Sequence, residues 1–183
     1  MDENVQNTTG RWTSPWRVII VGNLKDVVAS TLVTDVSEPC RIGDTSWIKP
    51  GSVSWIYWAY NHGSNDYQII RQYVDMAVDM HWPYVLIDAE WDEMKNGGSI
   101  EDAIRYALAR GIKPLLWYNS STAWLKAWGA PGPHERLNAP ELREREFAWL
   151  EKMGVAGVKI DFFAGDKQET MEYCIDLLEC AAR

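Results

Sequence analysis

The sequence predicts an α/β fold in which four strand–helix units build one parallel sheet. Four short segments rich in apolar and β-branched residues are typical of buried strands, and they span residues 53–59, 84–88, 113–118 and 157–161. A segment with helical spacing follows each of them, so the unit recurs about every 30 residues. This recurrence predicts parallel strands joined by right-handed crossovers.

Local signals support the helices between these strands. In the first unit, apolar residues recur at three- and four-residue spacing over residues 69–80, with Asn65 or Asp66 as the predicted N-cap. In the second unit, Ser99 and Asp102 form a predicted capping box. The helical pattern of these two units is therefore supported by both the apolar spacing and the start signals.

The N-terminal region lacks this rhythm. Residues 16–22 predict a strand, and residues 38–51 are rich in Pro and Gly, as in a linker or entry loop. We therefore predict two regions, with residues 1–52 as an N-terminal segment and linker and residues 53–183 as the strand–helix repeat.

Two architectures accept four such units: an open doubly wound sheet and a (β/α)8 barrel of the TIM type. No glycine-rich phosphate loop follows the first strand to favour nucleotide binding in an open sheet. Polar residues instead collect at the end of every strand, where barrel enzymes keep their active sites: Asn61, His62, Asp88, Glu90, Asn119, Ser120, Lys159 and Asp161. Because a barrel usually needs about 250 residues, we predict that the chain holds only the first four units, a half barrel.

The fourth strand carries a charged pair near its end. Residues two apart on a strand point to one side, so Lys159 and Asp161 share a face. The lysine would lower the pKa of Asp161 and keep it ionised, as a nucleophile or charge stabiliser requires. A structural ion pair that ends the strand is the alternative, since such pairs also shift pKa values without catalysis.

Composition argues against some classes of function. The net charge of -8 offers no basic surface for nucleic acid, and no apolar run approaches membrane length. The 3 cysteines and 3 histidines lack metal-ligand spacing. The 11 tryptophans favour sugar binding, because an indole offers a flat apolar face with one donor, although large cores also use Trp.

The longest predicted connection spans residues 119–138. A loop of this length is generally functional or disordered. As a lid over the strand ends it would present Trp124 and Trp128 to a sugar. As a short helix it would bury both, since they lie four residues apart.

Four segments and two tryptophans carry a family resemblance: residues 15–19, 44–51, 84–91 and 157–163, with Trp55 and Trp58. Together they resemble glycoside hydrolase family 97, a bacterial family of α-glucosidases and α-galactosidases. The resemblance implies a catalytic (β/α)8 barrel that follows a large β-sandwich domain. Residues 1–52 would then include the exit of that sandwich, and residues 53–183 would be the first half of the barrel.

The resemblance also implies a mechanism. The Lys-x-Asp pattern is similar to the retaining branch of the family, in which an aspartate at the end of the fourth strand is the nucleophile, and Asp161 occupies that place. The implied activity is exo-acting, α-galactosidase-like hydrolysis of terminal α-linked sugars, in the periplasm or outside a bacterial cell. The family binds calcium, and its calcium ligands and general acid are expected largely outside this chain. The isolated chain is therefore expected to be catalytically incomplete.

Substrate contacts are expected from the strand ends around the nucleophile: Lys159, Asp88, Glu90, Trp117, Asn119 and Trp58. Lys159 would hydrogen-bond a sugar hydroxyl, and Asp88 would accept two hydrogen bonds from hydroxyls at the far end of the ring. Glu90 would be a second sugar ligand if its strand continues, and would otherwise be solvated. Trp117 shares a strand face with Asn119 and would line the pocket.

Two alternatives stay open at this point. The substrate could be an α-glucoside, because the contacts that select between the C4 epimers cannot be placed from the sequence. A half barrel could also only bind carbohydrate, or self-associate, because its open sheet edges expose unpaired backbone groups.

Overall fold

The computed structural model describes residues 9–11, 16–57, 63–122, 130–165 and 167–183. Internal contacts divide the chain into two units, Met1–Lys49 and Pro50–Arg183, and each unit is described by itself. Within the described ranges, no helix combines the length and apolar character that crossing a membrane requires.

The first unit contains two short helices, α1 (Leu24–Ala29) and α2 (Leu32–Asp35). The side chains of Asn23 and Asp26 form reciprocal capping bonds at the start of α1. Neither helix has a buried residue. Local capping, rather than a core, therefore accounts for where α1 begins.

The predicted strand over residues 16–22 is wrong, because these residues form no strand in the structure. Three of their apolar side chains are largely in solvent: Trp16 is 77% exposed, Ile19 is 82% exposed and Val21 is 89% exposed. A strand needs a neighbouring strand to satisfy its backbone hydrogen bonds, and the described part of this unit contains none. A β-branched run alone does not supply that partner.

The second unit is built on a four-stranded sheet in the order β1-β2-β3-β4. Every neighbouring pair is parallel, which confirms the predicted α/β fold with four parallel strands. The strands are β1 (Val53–Trp55), β2 (Tyr84–Ile87), β3 (Lys113–Asn119) and β4 (Gly157–Asp161). The first strand ends earlier than predicted, and residues 58–62 lie outside the described residues.

Four helices follow the strands in turn: α3 (Tyr67–Asp79), α4 (Ile100–Ala109), α5 (Pro140–Met153) and α6 (Gln168–Ala181). The predicted caps are confirmed, since Asp66 accepts two backbone hydrogen bonds at the start of α3 and Ser99 and Asp102 form a capping box at α4. Gly154 ends α5 with a φ of 78°, a conformation that favours glycine. The two N-caps end the loops that follow β1 and β2, and Gly154 ends α5 shortly before β4 begins.

The apolar core lies between the helices and one face of the sheet. Val85, Ile87, Leu116 and Tyr118 face the helices and are fully buried. They pack with buried residues of α3 and α4: Ile70, Val74, Ala77, Ile100, Ala103, Ile104 and Ala107. Because side chains alternate along a strand, the residues between them point to the opposite face of the sheet, which is therefore available for polar groups.

Ile104→Ala should destabilise the second unit by about 2–5 kcal/mol, because truncating a fully buried side chain leaves a cavity. Leu108→Ala, on the same helix at a position 39% exposed, is the matched control and should cost much less. Urea unfolding followed by far-UV circular dichroism measures both. Equal losses in the free energy of unfolding would contradict the placement of the core on this face of α4.

Candidate active site

A cavity of about 250 Å³ lies at the carboxyl ends of the strands, on the face of the sheet opposite the helices. Such a position is where parallel sheets place ligand sites. Its walls come from β1, β3 and β4 and from the loops that follow all four strands: Trp55, Tyr57, Asp88, Ala89, Trp117, Pro131, Lys159, Asp161 and Phe162.

The wall of this cavity contains a cation that lies between two carboxylates. The Nζ atom of Lys159 lies 3.3 Å from Oδ2 of Asp88 and 3.2 Å from Oδ2 of Asp161. It also lies 4.8 Å from the ring centroid of Trp55, in a cation–π contact. We call Lys159, Asp88 and Asp161 the Lys159 bridge, because the lysine joins strand tips that β3 separates.

Asp88 is the buried carboxylate of the bridge, with 3% of its surface exposed. Its Oδ2 accepts a hydrogen bond of 2.6 Å from the indole Nε1 of Trp55, and its Oδ1 accepts one of 2.8 Å from the backbone N–H of Ala89. The backbone N–H of Asp88 itself donates to Oγ of Ser64 over 2.8 Å. Both the side chain and the backbone of Asp88 are therefore fixed.

Asp161 is the accessible carboxylate of the bridge, since 47% of its side chain is exposed. Its Oδ1 accepts from the backbone N–H of Phe162 at 2.9 Å, and its Oδ2 faces the indole Nε1 of Trp117 at 3.4 Å. Partial burial raises the pKa of Asp161, but the hydrogen bonds from Phe162, Lys159 and Trp117 and the charge of Lys159 outweigh it and leave the pKa below its ordinary value. The group is thus an exposed, ionised carboxylate near neutral pH.

Phe162 shapes the turn that follows Asp161. Its φ of 61° lies in the left-handed region, which is uncommon for a residue with a bulky side chain. Its carbonyl accepts hydrogen bonds from Ser120 Oγ at 2.7 Å and Thr122 Oγ1 at 3.1 Å. Its ring meets Trp117 edge-on, with centroids 5.8 Å apart. The loops after β3 and β4 therefore hold this conformation together.

Glu90 does not line the cavity. The strand on which its predicted direction depended ends at Ile87, and Glu90 has a φ of 66°. Its Oε2 accepts a hydrogen bond of 2.9 Å from Asn65 Nδ2, and its backbone N–H donates to the carbonyl of Gly132 over 2.8 Å. These contacts join three loops, and a direct contact of Glu90 with substrate stays a prediction that they do not favour.

Asn119 also lies away from the cavity wall, 1% exposed. Its Nδ2 donates to the carbonyl of Pro131 over 2.9 Å, and its Oδ1 accepts from the backbone N–H of Ser121 over 2.9 Å. Asn119 thereby brings Pro131 to the cavity wall. Trp58, which was predicted to contact substrate, lies outside the described residues. So do Trp124 and Trp128, which were predicted either to face a sugar from a lid or to be buried in a short helix.

The site therefore brings together Asp161, Lys159, Asp88 and Trp117 of the residues proposed from sequence. It adds Trp55, Tyr57 and Phe162, which were not proposed as site residues. The sequence contains a pattern that indicates Trp55 and Tyr57, because they lie two apart in the predicted first strand and would share a face of it. The role of Phe162 depends on its positive φ, which no sequence pattern indicated.

The described residues do not fit a calcium site. Among them, no group of three or more His, Cys, Asp or Glu side chains could hold a metal ion. At the cavity, the space between the two carboxylates is occupied by the ammonium group of Lys159. Calcium needs six to eight oxygen ligands, and the described residues of this wall do not supply such a set.

Two family models match this chain. A family model described as Glycoside hydrolase 97 matches residues 47–183. A second model, described as Glycosyl-hydrolase 97 N-terminal, matches residues 1–39. The first match contains every strand of the sheet and every described residue of the cavity wall.

Two curated relatives have galactosidase names. A protein of Streptomyces bingchenggensis named "Probable retaining alpha-galactosidase" is 32% identical over 99% of this chain and 28% of its own length. The "Retaining alpha-galactosidase" of Bacteroides thetaiotaomicron is 29% identical over 92% of this chain and 26% of its own length. The chain spans about a quarter of the length of these relatives.

A solved structure described as "Crystal structure of beta-arabinopyranosidase" is similar with a TM-score of 0.77 and 34% sequence identity. The similarity covers 86% of this chain and 24% of that one. It extends the likeness from sequence to the three-dimensional arrangement of the strands and helices.

The lowered pKa of Asp161 predicts a specific acid dependence of stability. Because the folded chain holds this proton more weakly than the unfolded chain, the stabilising contribution is complete above the ordinary Asp pKa of about 3.9 and is lost as the pH falls through the lowered value. Titration of the Asp161 carboxyl carbon by NMR measures the midpoint, and Asp161→Asn should remove this part of the acid dependence. A midpoint at or above the ordinary value would contradict the geometry.

Proposed function

The chain belongs to glycoside hydrolase family 97, as its sequence predicted, and on that basis we propose that it contributes the nucleophile half of an exo-acting, retaining α-galactosidase. The observation that supports this most is the pair of fixed carboxylates joined by Lys159, one accessible and ionised and the other buried in the cavity wall. The four parallel strands would be the first half of a (β/α)8 barrel, with the cavity at its carboxyl-terminal rim.

In the proposed first step, Asp161 forms a bond to the anomeric carbon of a terminal α-linked galactose. The bond from that carbon to the leaving oxygen breaks, its electron pair goes to that oxygen, and a general acid supplies the proton. Water then attacks the same carbon, loses its proton to the former acid, and releases Asp161 as a carboxylate. Two inversions give net retention.

The general acid is proposed to come from outside the described cavity wall. That wall contains two carboxylates, Asp88 and Asp161. Asp88 already accepts hydrogen bonds from Trp55, Ala89 and Lys159, an arrangement that suits an acceptor of a sugar hydroxyl rather than a proton donor. The described residues would therefore carry out bond formation at carbon but not protonation of a poor leaving group.

Lys159 and Asp88 are proposed to bind the sugar ring. The ammonium group has three donors, so after its contacts with the two carboxylates it has one left for a sugar hydroxyl. Trp55 and Phe162 border the same space and supply apolar surface at its walls. Together these groups offer charged hydrogen-bond partners and apolar surface within one cavity.

An arabinopyranosidase is the second candidate, favoured by the 34% identical structure with that description. β-L-Arabinopyranose has the ring hydroxyl configuration of α-D-galactopyranose and lacks the hydroxymethyl group at C6. A cavity that grips the ring hydroxyls can therefore accept both sugars. α-Glucosides, which differ from α-galactosides at C4, are the third class that a test must include.

An activated inhibitor tests the proposal without needing the general acid. The reagent is a 2,2-difluoro α-galactoside with trinitrophenolate as the leaving group, which departs without protonation, while the fluorines slow hydrolysis of the ester. We expect one fluorosugar bonded to Asp161, detected by peptide mass spectrometry. The corresponding glucoside should react about 10- to 100-fold more slowly, since one hydrogen bond to a charged group is lost. A methyl α-galactoside should not be turned over.

Two variants serve as controls for this labelling. Asp161→Asn should remove the label, and Asp79→Asn, at an exposed position of α3, should be labelled like the wild type. No label, or a label on a different carboxylate, would refute the assignment of the nucleophile. Faster labelling by the arabinopyranoside reagent than by the galactoside would favour the second candidate.

A further inference from the structure

We propose that Trp55 and Trp117 are paired positioning residues, each of which fixes one carboxylate of the Lys159 bridge by donating its indole N–H to the oxygen that faces the lysine. The inference rests on the proposed function in one respect, namely that Asp161 is the attacking group. It assigns to the two tryptophans a task that differs from stacking on a sugar.

The first observation is that the two carboxylates have the same set of donors. Oδ1 of Asp88 accepts from the backbone N–H of the next residue at 2.8 Å, and Oδ1 of Asp161 does so at 2.9 Å. Oδ2 of Asp88 faces Trp55 Nε1 at 2.6 Å and Lys159 at 3.3 Å. Oδ2 of Asp161 faces Trp117 Nε1 at 3.4 Å and Lys159 at 3.2 Å.

The second observation is that the topology repeats along with the contacts. Trp55 ends β1 and holds the carboxylate after β2, and Trp117 lies in β3 and holds the carboxylate that ends β4. In both cases the indole lies on the strand that precedes its carboxylate in the sheet. Neighbouring strands are about 4.8 Å apart, a spacing that an indole side chain can bridge. The same contact, from an indole N–H to the carboxylate at the end of the next strand, therefore occurs twice in the sheet.

The third observation is that Trp117 cannot offer its face to a sugar. It is 1% exposed, its carbonyl accepts a hydrogen bond of 2.6 Å from Trp91 Nε1, and Phe162 covers it edge-on. A buried indole N–H needs an acceptor, and within the described residues that acceptor is Asp161. Trp117 therefore acts on the cavity through this polar edge.

Trp55 is held in a different way with the same result. Its ring is stacked with Tyr57, with centroids 6.4 Å apart and planes 18° from parallel, and Lys159 lies over the ring. Trp55 thus contacts both the lysine and the buried carboxylate of the bridge. It thereby helps to hold Asp88 and Lys159 at the distance that the proposed sugar binding by Asp88 needs.

The donors from the described residues leave one acceptor site open on each carboxylate. A carboxylate has about four acceptor sites, and donors from the described residues use three on Asp88 and three on Asp161. The open site lies on Oδ1, which has one such donor where Oδ2 has two. Oδ1 of Asp161 is therefore the attacking atom, and Oδ1 of Asp88 accepts one sugar hydroxyl rather than the two expected from sequence.

Trp117→Phe and Trp55→Phe test the proposal, because each keeps an aromatic ring and removes the N–H. Using the same fluorosugar reagent, Trp117→Phe should lower the maximal labelling rate about tenfold, with little change in the half-saturating concentration. It should also move the acid limb of the rate toward higher pH, since Asp161 loses a donor. Trp55→Phe should instead raise the half-saturating concentration and leave the acid limb in place.

Trp82→Phe is the matched control, since Trp82 precedes β2 at the other end of the strand from Asp88. A measurement on the wild type needs no substitution: the indole ¹⁵N–¹H signal of Trp117 should shift as Asp161 titrates, and that of Trp82 should not. Labelling of Trp117→Phe at the wild-type rate and pH dependence, or a Trp117 signal that ignores the titration, would overturn the inference. Failure of the wild type to be labelled would refute the proposed function, while the indole signal would still decide the positioning role.

Discussion

The contact on which the rest of the site depends is the ammonium group of Lys159, 3.3 Å from one carboxylate oxygen of Asp88 and 3.2 Å from one of Asp161. Two carboxylates that share one cavity repel each other, and a cation between them offsets this repulsion. Each carboxylate also accepts a hydrogen bond from an indole N–H, which fixes the orientation of the carboxylate as well as its distance from the lysine. An attacking group in a glycosidase needs these properties, because its oxygen must stay ionised and point at one carbon atom.

The sheet makes this contact possible by separating two tasks between its faces. On the helix side, residues such as Ile87, Leu116 and Tyr118 are fully buried and stabilise the fold. On the other side, the same strands end in charged and indole side chains around the cavity. Because parallel strands place their carboxyl ends at one edge, the tips of β2 and β4 come within reach of one lysine. Membership of glycoside hydrolase family 97 indicates the class of chemistry, and the cavity identifies the residues in this chain that are placed for it.

Much of the fold could be predicted because its signals are local. The cap at Asp66 and the box at Ser99 each need a few neighbouring residues, and the shared face of Lys159 and Asp161 follows from the two-residue period of a strand. The differences from the prediction have non-local causes. The predicted strand at residues 16–22 is wrong because the segment has strand-forming residues but no neighbouring strand in the described part of its unit. The predicted direction of Glu90 depended on a strand that ends at Ile87, and its contact with substrate stays a prediction. Trp55 was not proposed because it meets Asp88 only through the register of β1 and β2.

The most direct measurement is the titration of the Asp161 carboxyl carbon in Lys159→Met, a substitution that keeps most of the side-chain length and removes the charge. Lys113→Met, at the exposed start of β3, is the matched control, and amide spectra of both variants report whether the fold is kept. We expect the pKa of Asp161 to rise in Lys159→Met and to be unchanged in Lys113→Met. An unchanged titration of Asp161 in a folded Lys159→Met chain would contradict the claim that this lysine holds the two carboxylates together.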